Sequence, residues 1–154
     1  QIKEQLMNQR FFISYRSQVL FENIQQYYTQ NISGLYQKAL DHRLAISGMP
    51  CGLYYNWDEK TGKADMAAGL PTLAEFNISD TESVSIPQKL ALLTEYKGEN
   101  SKSGIAHNAM DEYMLDHHLV NQPPVIEEYL TDPSKEPDPT NWVTNIIYYV
   151  APKK

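Results

Sequence analysis

Cysteine is almost missing from this chain of 154 residues: Cys51 is the only one, so no internal disulfide can brace the fold. Stability has to come from apolar burial, and a reducing, cytoplasmic setting is expected. No apolar run approaches the roughly 18 residues of a bilayer span. No secretory-leader pattern opens the chain, so no membrane association is expected. Basic charge is scarce as well, with 13 Lys and Arg against 19 Asp and Glu and a net charge of −6. The basic residues are scattered, and only Lys153 and Lys154 are adjacent among those of the second half. Duplex binding needs several cations acting together on phosphates, so this segment is not expected to bind nucleic acid directly. Also absent are a His-Glu-x-x-His pair, paired cysteines, a glycine-rich phosphate loop and a Gly-x-Ser-x-Gly elbow. No metal, no cofactor and no catalytic set is therefore expected, and Cys51 reads as a small buried thiol.

What the chain has is a pattern stated twice. Leu40-Asp41-His42-Arg43-Leu44-Ala45 is echoed by Leu115-Asp116-His117-His118-Leu119-Val120. Each block precedes a Pro-x-x-x-x-Tyr-x-x-Asp run, Pro50/Tyr55/Asp58 and then Pro124/Tyr129/Asp132. Ordered matches at nearly one offset point to a duplicated supersecondary unit whose halves cannot each bury an apolar face alone. A cleft between such halves is a natural ligand site.

Residues 1–9 read as a polar helical tail or linker. Residues 10–21 are aromatic and β-branched and read as a strand. Asn23 and Gln26 resemble a capping box, and Ile24, Tyr28, Ile32, Leu35 and Ala39 then recur at helical spacing, predicting a helix to about Leu44. Strands follow at 51–57 and 64–71 around a turn with Gly62. After the connection 72–83, the second half gives a strand over 84–96, a turn at Gly98, a helix capped by Ser103 with Ala106, Met110, Tyr113 and His117 on one face, and strands at 125–130 and 143–150. The expected fold is α+β: one domain over 10–152 made of tandem β-α-β-β modules (10–71 and 84–152) with pseudo-twofold symmetry. The sheet is curved and antiparallel, with helices on one face and a ligand cleft on the other.

Glu127 is the residue that chemistry singles out. It alternates with Val125 and Tyr129 on a short strand, so a carboxylate stands beside an aromatic ring. Facing a cleft it attracts cations; turned the other way, it is a solvated edge residue with Ile126 and Leu130 in the core. Tyr55 and Trp57 share a face by alternation, Tyr148 and Tyr149 take opposite faces, and Trp142 opens the last strand. Aromatic walls of this kind hold flat or cationic ligands, and ordinary sheet packing is the alternative for each. His42, His117 and His118 fall at helix C-termini, where a cation suits the dipole. His107 falls at a helix start and carries no assigned role.

The segment PPVIEEYLTDP (123–133) with VTNIIYYV (143–150) resembles the closing signature of the GyrI-like small-molecule-binding family, the AraC-type effector-binding domain. LYYNWD (53–58) and ADMAAGLP (64–71), with Asp65, Gly69, Leu70 and Pro71, resemble the matching hairpin of the first half, and Gly98 fits the turn glycine. The resemblance implies a ligand-sensing pocket with Glu127 as its carboxylate. Tyr129, Tyr55, Trp57, Tyr148 and Trp142 are the expected aromatic lining. It implies a small-molecule partner of cationic or amphipathic aromatic type and a regulatory or drug-binding role without catalysis. A DNA-binding or other domain fused upstream of Gln1 fits that pattern. Two alternatives stay open: a hydrolase of reactive small molecules using Glu127 with a pocket tyrosine, and a free-standing inhibitor or interaction module.

Overall fold

The computed structural model describes residues 1–154. Nine strands and two long helices follow in the order β1 (Lys3–Met7), β2 (Arg10–Leu20), α1 (Ile24–Asp41), β3 (Cys51–Asp58), β4 (Lys63–Thr72), β5 (Glu82–Ile86), β6 (Lys89–Lys97), α2 (Gly104–Asp116), β7 (Leu119–Asn121), β8 (Val125–Tyr129) and β9 (Val143–Pro152). They form two units, residues 8–88 and residues 1–7 with 89–154.

In the 8–88 unit the long strand β2 pairs antiparallel with β4 from Phe11↔Thr72 to Leu20↔Lys63, β3 hairpins onto β4, and β5 adds to the free edge of β2. Alternation along β2 sends Ile13, Tyr15 and Val19 to one face. There Ile13 joins Ala68 and Leu70 of β4 under Leu35 and Ala39 of α1, with Tyr28 and Ile32 packed against them. Leu35 is fully buried, and burial of one such side chain stabilises by about 1.5–3 kcal/mol.

The other unit repeats this connectivity. β6 pairs antiparallel with β9, β8 hairpins onto β9, β1 adds to the free edge of β6, and α2 joins β6 to the β7–β8 region. The repeated six-residue block is the helix stop in both. His42 and His117 are the C-cap residues, at φ/ψ −99/4° and −106/9°. Their amides donate to Lys38 and Tyr113 carbonyls, both at 3.0 Å. The next residues, Arg43 and His118, are left-handed at φ 53° and 56°. A left-handed residue after the cap is the usual way to end a helix.

Several sequence expectations are corrected. The polar tail 1–9 contains strand β1, whose register runs from Lys3↔Leu93 to Met7↔Lys89. The single strand expected over 84–96 is two, β5 and β6, broken at Pro87-Gln88. Proline has no N–H for a ladder. The break leaves 84–86 paired with β2, so the second module's own sheet begins at Lys89. α1 ends at Asp41 and its Asn23 cap makes no side-chain bond. Strand β7, paired with β9, has no counterpart in the sequence reading.

Candidate ligand-binding site

Glu127 and Tyr129 stand on one side of β8, opposite Ile146 and Thr144 of β9, and Tyr148 continues the same side of β9. The inward stripe of α2 is Ser103, His107, Met110 and Met114, at spacings of four, three and four. Met110 and Met114 are buried. One and two turns nearer the N-terminus, the same stripe carries Ser103 and His107 to the carboxylate. The stripe expected from sequence, Ala106, Met110, Tyr113 and His117, is rotated from this. Tyr113 instead stacks on His117 with centroids 3.8 Å apart and donates its hydroxyl to Glu4 at 3.1 Å.

Glu127 is 7% exposed and accepts three hydrogen bonds. The Ser103 hydroxyl donates to Oε2 at 3.2 Å, His107 Nε2 lies 2.7 Å from the same oxygen, and the Tyr129 hydroxyl donates to Oε1 at 2.8 Å. His107 Nδ1 lies 2.8 Å from the Tyr148 hydroxyl. Burial, with Asp111 and Glu127 adding to it, pushes the Tyr148 phenol well above its ordinary range, so it stays protonated. The chain is satisfied when Tyr148 donates to Nδ1 and the Nε2 proton points at Glu127. The N-terminus of α2 favours an anion here as well. Ser103, expected to cap the helix backbone, makes no capping bond and spends its hydroxyl on Glu127. The carboxylate thus lies on the side of its sheet that carries α2.

The shared helix caps allow a direct comparison of the two units. Counting back from His42 gives Ala39, Leu35, Ile32 and Tyr28; counting back equally from His117 gives Met114, Met110, His107 and Ser103. In the first set all four belong to or pack on an apolar cluster. On the strand side Tyr54 of β3 packs against Val19, Ala64 and Met66, whereas β8 carries the buried carboxylate of Glu127. Hydrogen-bonding groups therefore occupy, in one unit only, positions that the other uses for apolar packing. Buried polar groups cost free energy unless fully paired, so this cluster is not explained as a device for stability.

The other expected lining residues are placed differently. Tyr55 and Trp57 do not share a face, because the β3–β4 register shifts between Tyr54 and Asn56 and makes Tyr55 the extra residue of a bulge. The Tyr55 ring lies under the Arg16 guanidinium, 3.6 Å from centroid to Cζ, and burial raises its phenol to about 12. Arg16 also holds Asp65 through two hydrogen bonds of 2.9 and 2.8 Å. Trp57 is 51% exposed and stacks on Phe21 at 4.1 Å. Trp142 donates its indole N–H to the Glu136 carbonyl at 2.8 Å and so ties down the 131–142 loop. Tyr148 and Tyr149 do take opposite faces. Glu127, Tyr129 and Tyr148 therefore come together; Tyr55, Trp57 and Trp142 are not in their hydrogen-bonded network. A shallow recess of about 530 Å³ lies elsewhere, between β2, α1 and residues 80–82. No three His, Cys, Asp or Glu side chains are placed to share a metal ion.

His107 and Ser103 are the site residues that sequence reasoning missed. The signal available was the stripe 103/107/110/114, whose polar end precedes its apolar end.

No family model and no curated protein sequence matches the chain. Solved structures do. The chain covers 98% of the EcmrR C-terminal domain at TM-score 0.79 and 17% identity, with 99% of its own length aligned. It aligns over 99% of its length with a chain of the EcmrR–DNA complex at TM-score 0.83 and 18% identity, and spans 57% of that chain. A hydrolase from Listeria innocua (TM-score 0.67, 12% identity, 97% of this chain and 91% of that one) is also similar. So is SAV2435 bound to tetraphenylphosphonium, at TM-score 0.66 and 14% identity over 98% of this chain and 94% of that one. The chain has the fold of the EcmrR C-terminal domain.

Proposed function

We propose that the chain is a small-molecule-binding regulatory module in which Glu127 reads positive charge on an aromatic organic ligand. The observation that carries this is the buried carboxylate with its three donors, set where the sister unit has apolar packing. A negative charge kept at that cost is suited to a cation that arrives with its own apolar surface. The phenols of Tyr129 and Tyr148 supply aromatic faces for cation–π contact. A neighbour in fold, SAV2435, was solved with the lipophilic cation tetraphenylphosphonium, and EcmrR was solved in a complex with DNA. Both support a sensor whose DNA contacts belong to another domain.

Titration with tetraphenylphosphonium, followed by calorimetry, tests this. Glu127→Gln is expected to weaken binding by about 1–3 kcal/mol, the scale of a charge-assisted contact, while binding of neutral triphenylphosphine oxide changes far less. Equal losses for the two compounds would refute a charge-reading role.

One observation also favours a hydrolase. The Tyr129 hydroxyl is 2.8 Å from Glu127, and the Tyr148–His107–Glu127 chain continues behind it. That is hydrogen-bond reach for a general base and a general acid. Under this reading Glu127→Gln abolishes turnover of a reactive electrophile, such as an epoxide or activated ester, and leaves its binding largely intact.

A further inference from the structure

We propose that the outer edge of β2 from Tyr15 to Leu20 is a strand-addition site for an extended peptide segment of a partner protein that carries lysine or arginine. The site lies within residues 8–88 and does not depend on the reading of Glu127.

β2 is far longer than the strand that covers it. It has 11 residues, and β4 pairs with it from Phe11 to Leu20. On the other side β5 pairs only from Arg10 to Ser14. β4 and β5 are its neighbours in the sheet. The backbone groups of a strand point alternately to its two edges, so half of those between Tyr15 and Leu20 face a side where no strand lies. The Tyr15 carbonyl, one residue past the last β5 pair, accepts the Tyr27 hydroxyl at 3.1 Å. Beyond it the Ser17 hydroxyl reaches only the neighbouring Gln18 carbonyl, at 3.4 Å. Arg16, Ser17 and Gln18 are exposed one after another, so both faces are open here as well as the edge. Six extended residues span about 20 Å.

The edge is walled. Where β5 stops, a recess of about 530 Å³ opens between β2, Tyr27 and Asn31 of α1, and residues 80–82. That volume is within the roughly 300–1,000 Å³ of ligand sites. The outer wall is held in place. Thr81 donates its amide and its hydroxyl to the Ile78 carbonyl, at 3.1 and 2.8 Å, and Asp80 is left-handed at φ 69°. Lys38 of α1 donates to the Ser79 carbonyl at 3.2 Å. This tight turn takes the chain off the edge at the point where the β5 ladder would otherwise continue.

Charge says which strand fits. An arginine on an edge normally discourages pairing, but Arg16 is already committed. It holds Asp65 through two hydrogen bonds of 2.9 and 2.8 Å and lies 3.6 Å over the Tyr55 ring. Asp80 and Glu82 are the open charges of the recess, their side chains 86% and 51% exposed. Each has one cation at 3.8 Å, Lys38 and Arg16 respectively. Asp65, Asp80 and Glu82 against Arg16 and Lys38 leave one negative charge, three less two. Asn31 spends its amide N–H on the Tyr27 carbonyl at 2.8 Å, which leaves its Oδ1 as a further acceptor. A basic side chain on the incoming strand is matched here and an acidic one is repelled. In such a site main-chain hydrogen bonds supply the affinity and the side chains beside them supply the selection.

The probe is fluorescein-Thr-Lys-Val-Lys-Val-Thr-amide, titrated with the intact chain and followed by anisotropy. Three comparisons accompany it: the peptide with both lysines replaced by glutamate, the peptide N-methylated at every residue, and the variant Asp80→Asn/Glu82→Gln. Both substituted side chains are exposed, and asparagine tolerates the left-handed backbone at position 80. Saturable binding of the lysine peptide is expected. The glutamate peptide should bind roughly tenfold more weakly or worse. The N-methylated peptide keeps both charges but cannot donate to a strand, and should also lose roughly tenfold or more. The double variant should weaken the lysine peptide by about threefold or more. Hydrogen exchange on the intact chain should slow over residues 15–20 when the lysine peptide is bound. Equal binding of the N-methylated peptide would reduce the effect to charge attraction and overturn strand addition. Equal binding of the glutamate peptide would overturn the choice of a basic partner. Protection confined to other residues, or no saturable binding at all, would overturn the site. Each of these failures leaves the charge-reading role of Glu127 standing.

Discussion

Removing Glu127 and His107 singly and together is a quantitative test of how the α2 end is held. Glu127→Ala deletes an acceptor of three hydrogen bonds. Bonds to a charged group contribute about 1.5–3 kcal/mol each, and a donor left buried costs about 1–3 kcal/mol. Not all of that is lost. The Tyr129 hydroxyl is only half-buried and can turn to water, and His107 is a quarter exposed, whereas Ser103 is 7% exposed and stays stranded. The net expectation is about 2–4 kcal/mol of destabilisation. His107→Ala loses one charge-assisted bond and strands the Tyr148 hydroxyl, itself 6% exposed, for about 2–3 kcal/mol. The two share a contact of 2.7 Å, so their effects should not add. The double variant should be more stable than the sum predicts by about 1.5–3 kcal/mol. Urea unfolding of the four proteins, read by circular dichroism at constant m-value, gives the coupling. Additivity within about 0.5 kcal/mol would show that the histidine and the carboxylate are neighbours without being energetically linked, and would remove the basis for treating them as one site.

Three further outcomes are expected. Arg16 holds the Asp65 carboxyl below the usual carboxylate range. That pair therefore stabilises fully above about pH 4 and loses its contribution as pH falls through the lowered value; Asp65→Asn should flatten the acid limb of a stability-versus-pH curve by at most about 1 kcal/mol, because the Arg16 side chain is 36% exposed. Gly98 has φ 143° and a Cβ there would meet the Tyr96 hydroxyl oxygen at 2.8 Å; Gly98→Ala should cost about 1–3 kcal/mol and several degrees in a thermal melt. The chain alone should show no salt-sensitive binding to duplex DNA in an anisotropy titration at physiological salt, given its net charge of −6.

The β-α-β-β order was legible because α1 carries its periodicity openly and both helices end on the same six-residue stop. The Leu-Asp-His block is where a left-handed Arg43 or His118 turns the chain, and that local need is written in a local pattern. Glu127 and Tyr129 were legible for a similar reason: alternation on a short, regular strand fixes their common side. What stayed hidden depends on pairing. Nothing near Tyr55 announces the bulge that parts it from Trp57, since a bulge is a mismatch with β4 and not a property of β3. Pro87 did carry a signal, and it was read as the start of one strand when it marks the gap between two. The role of His107 rests on which side of α2 faces inward, and Met110 belongs to both candidate stripes. Only the burial of Met114 rather than Tyr113 separates them.

The polar sequence of β1 has a consequence for how the chain is made. Lys3 pairs with Leu93 and Met7 with Lys89, so this strand is synthesised long before its partner exists. Closing so large a loop is entropically slow. Meanwhile the pairings of β2 with β4 and β5, and of β3 with β4, lie within residues 8–88 and can form as that stretch emerges. Throughout that wait β1 is an unpaired edge on a nascent chain. Lys3, Glu4 and Gln5 make it a poor template for other strands, since charge on an edge disfavours stray pairing. Residues that looked like a discarded tail thus act as a gatekeeper in time, keeping the strand unattached until β6 is available.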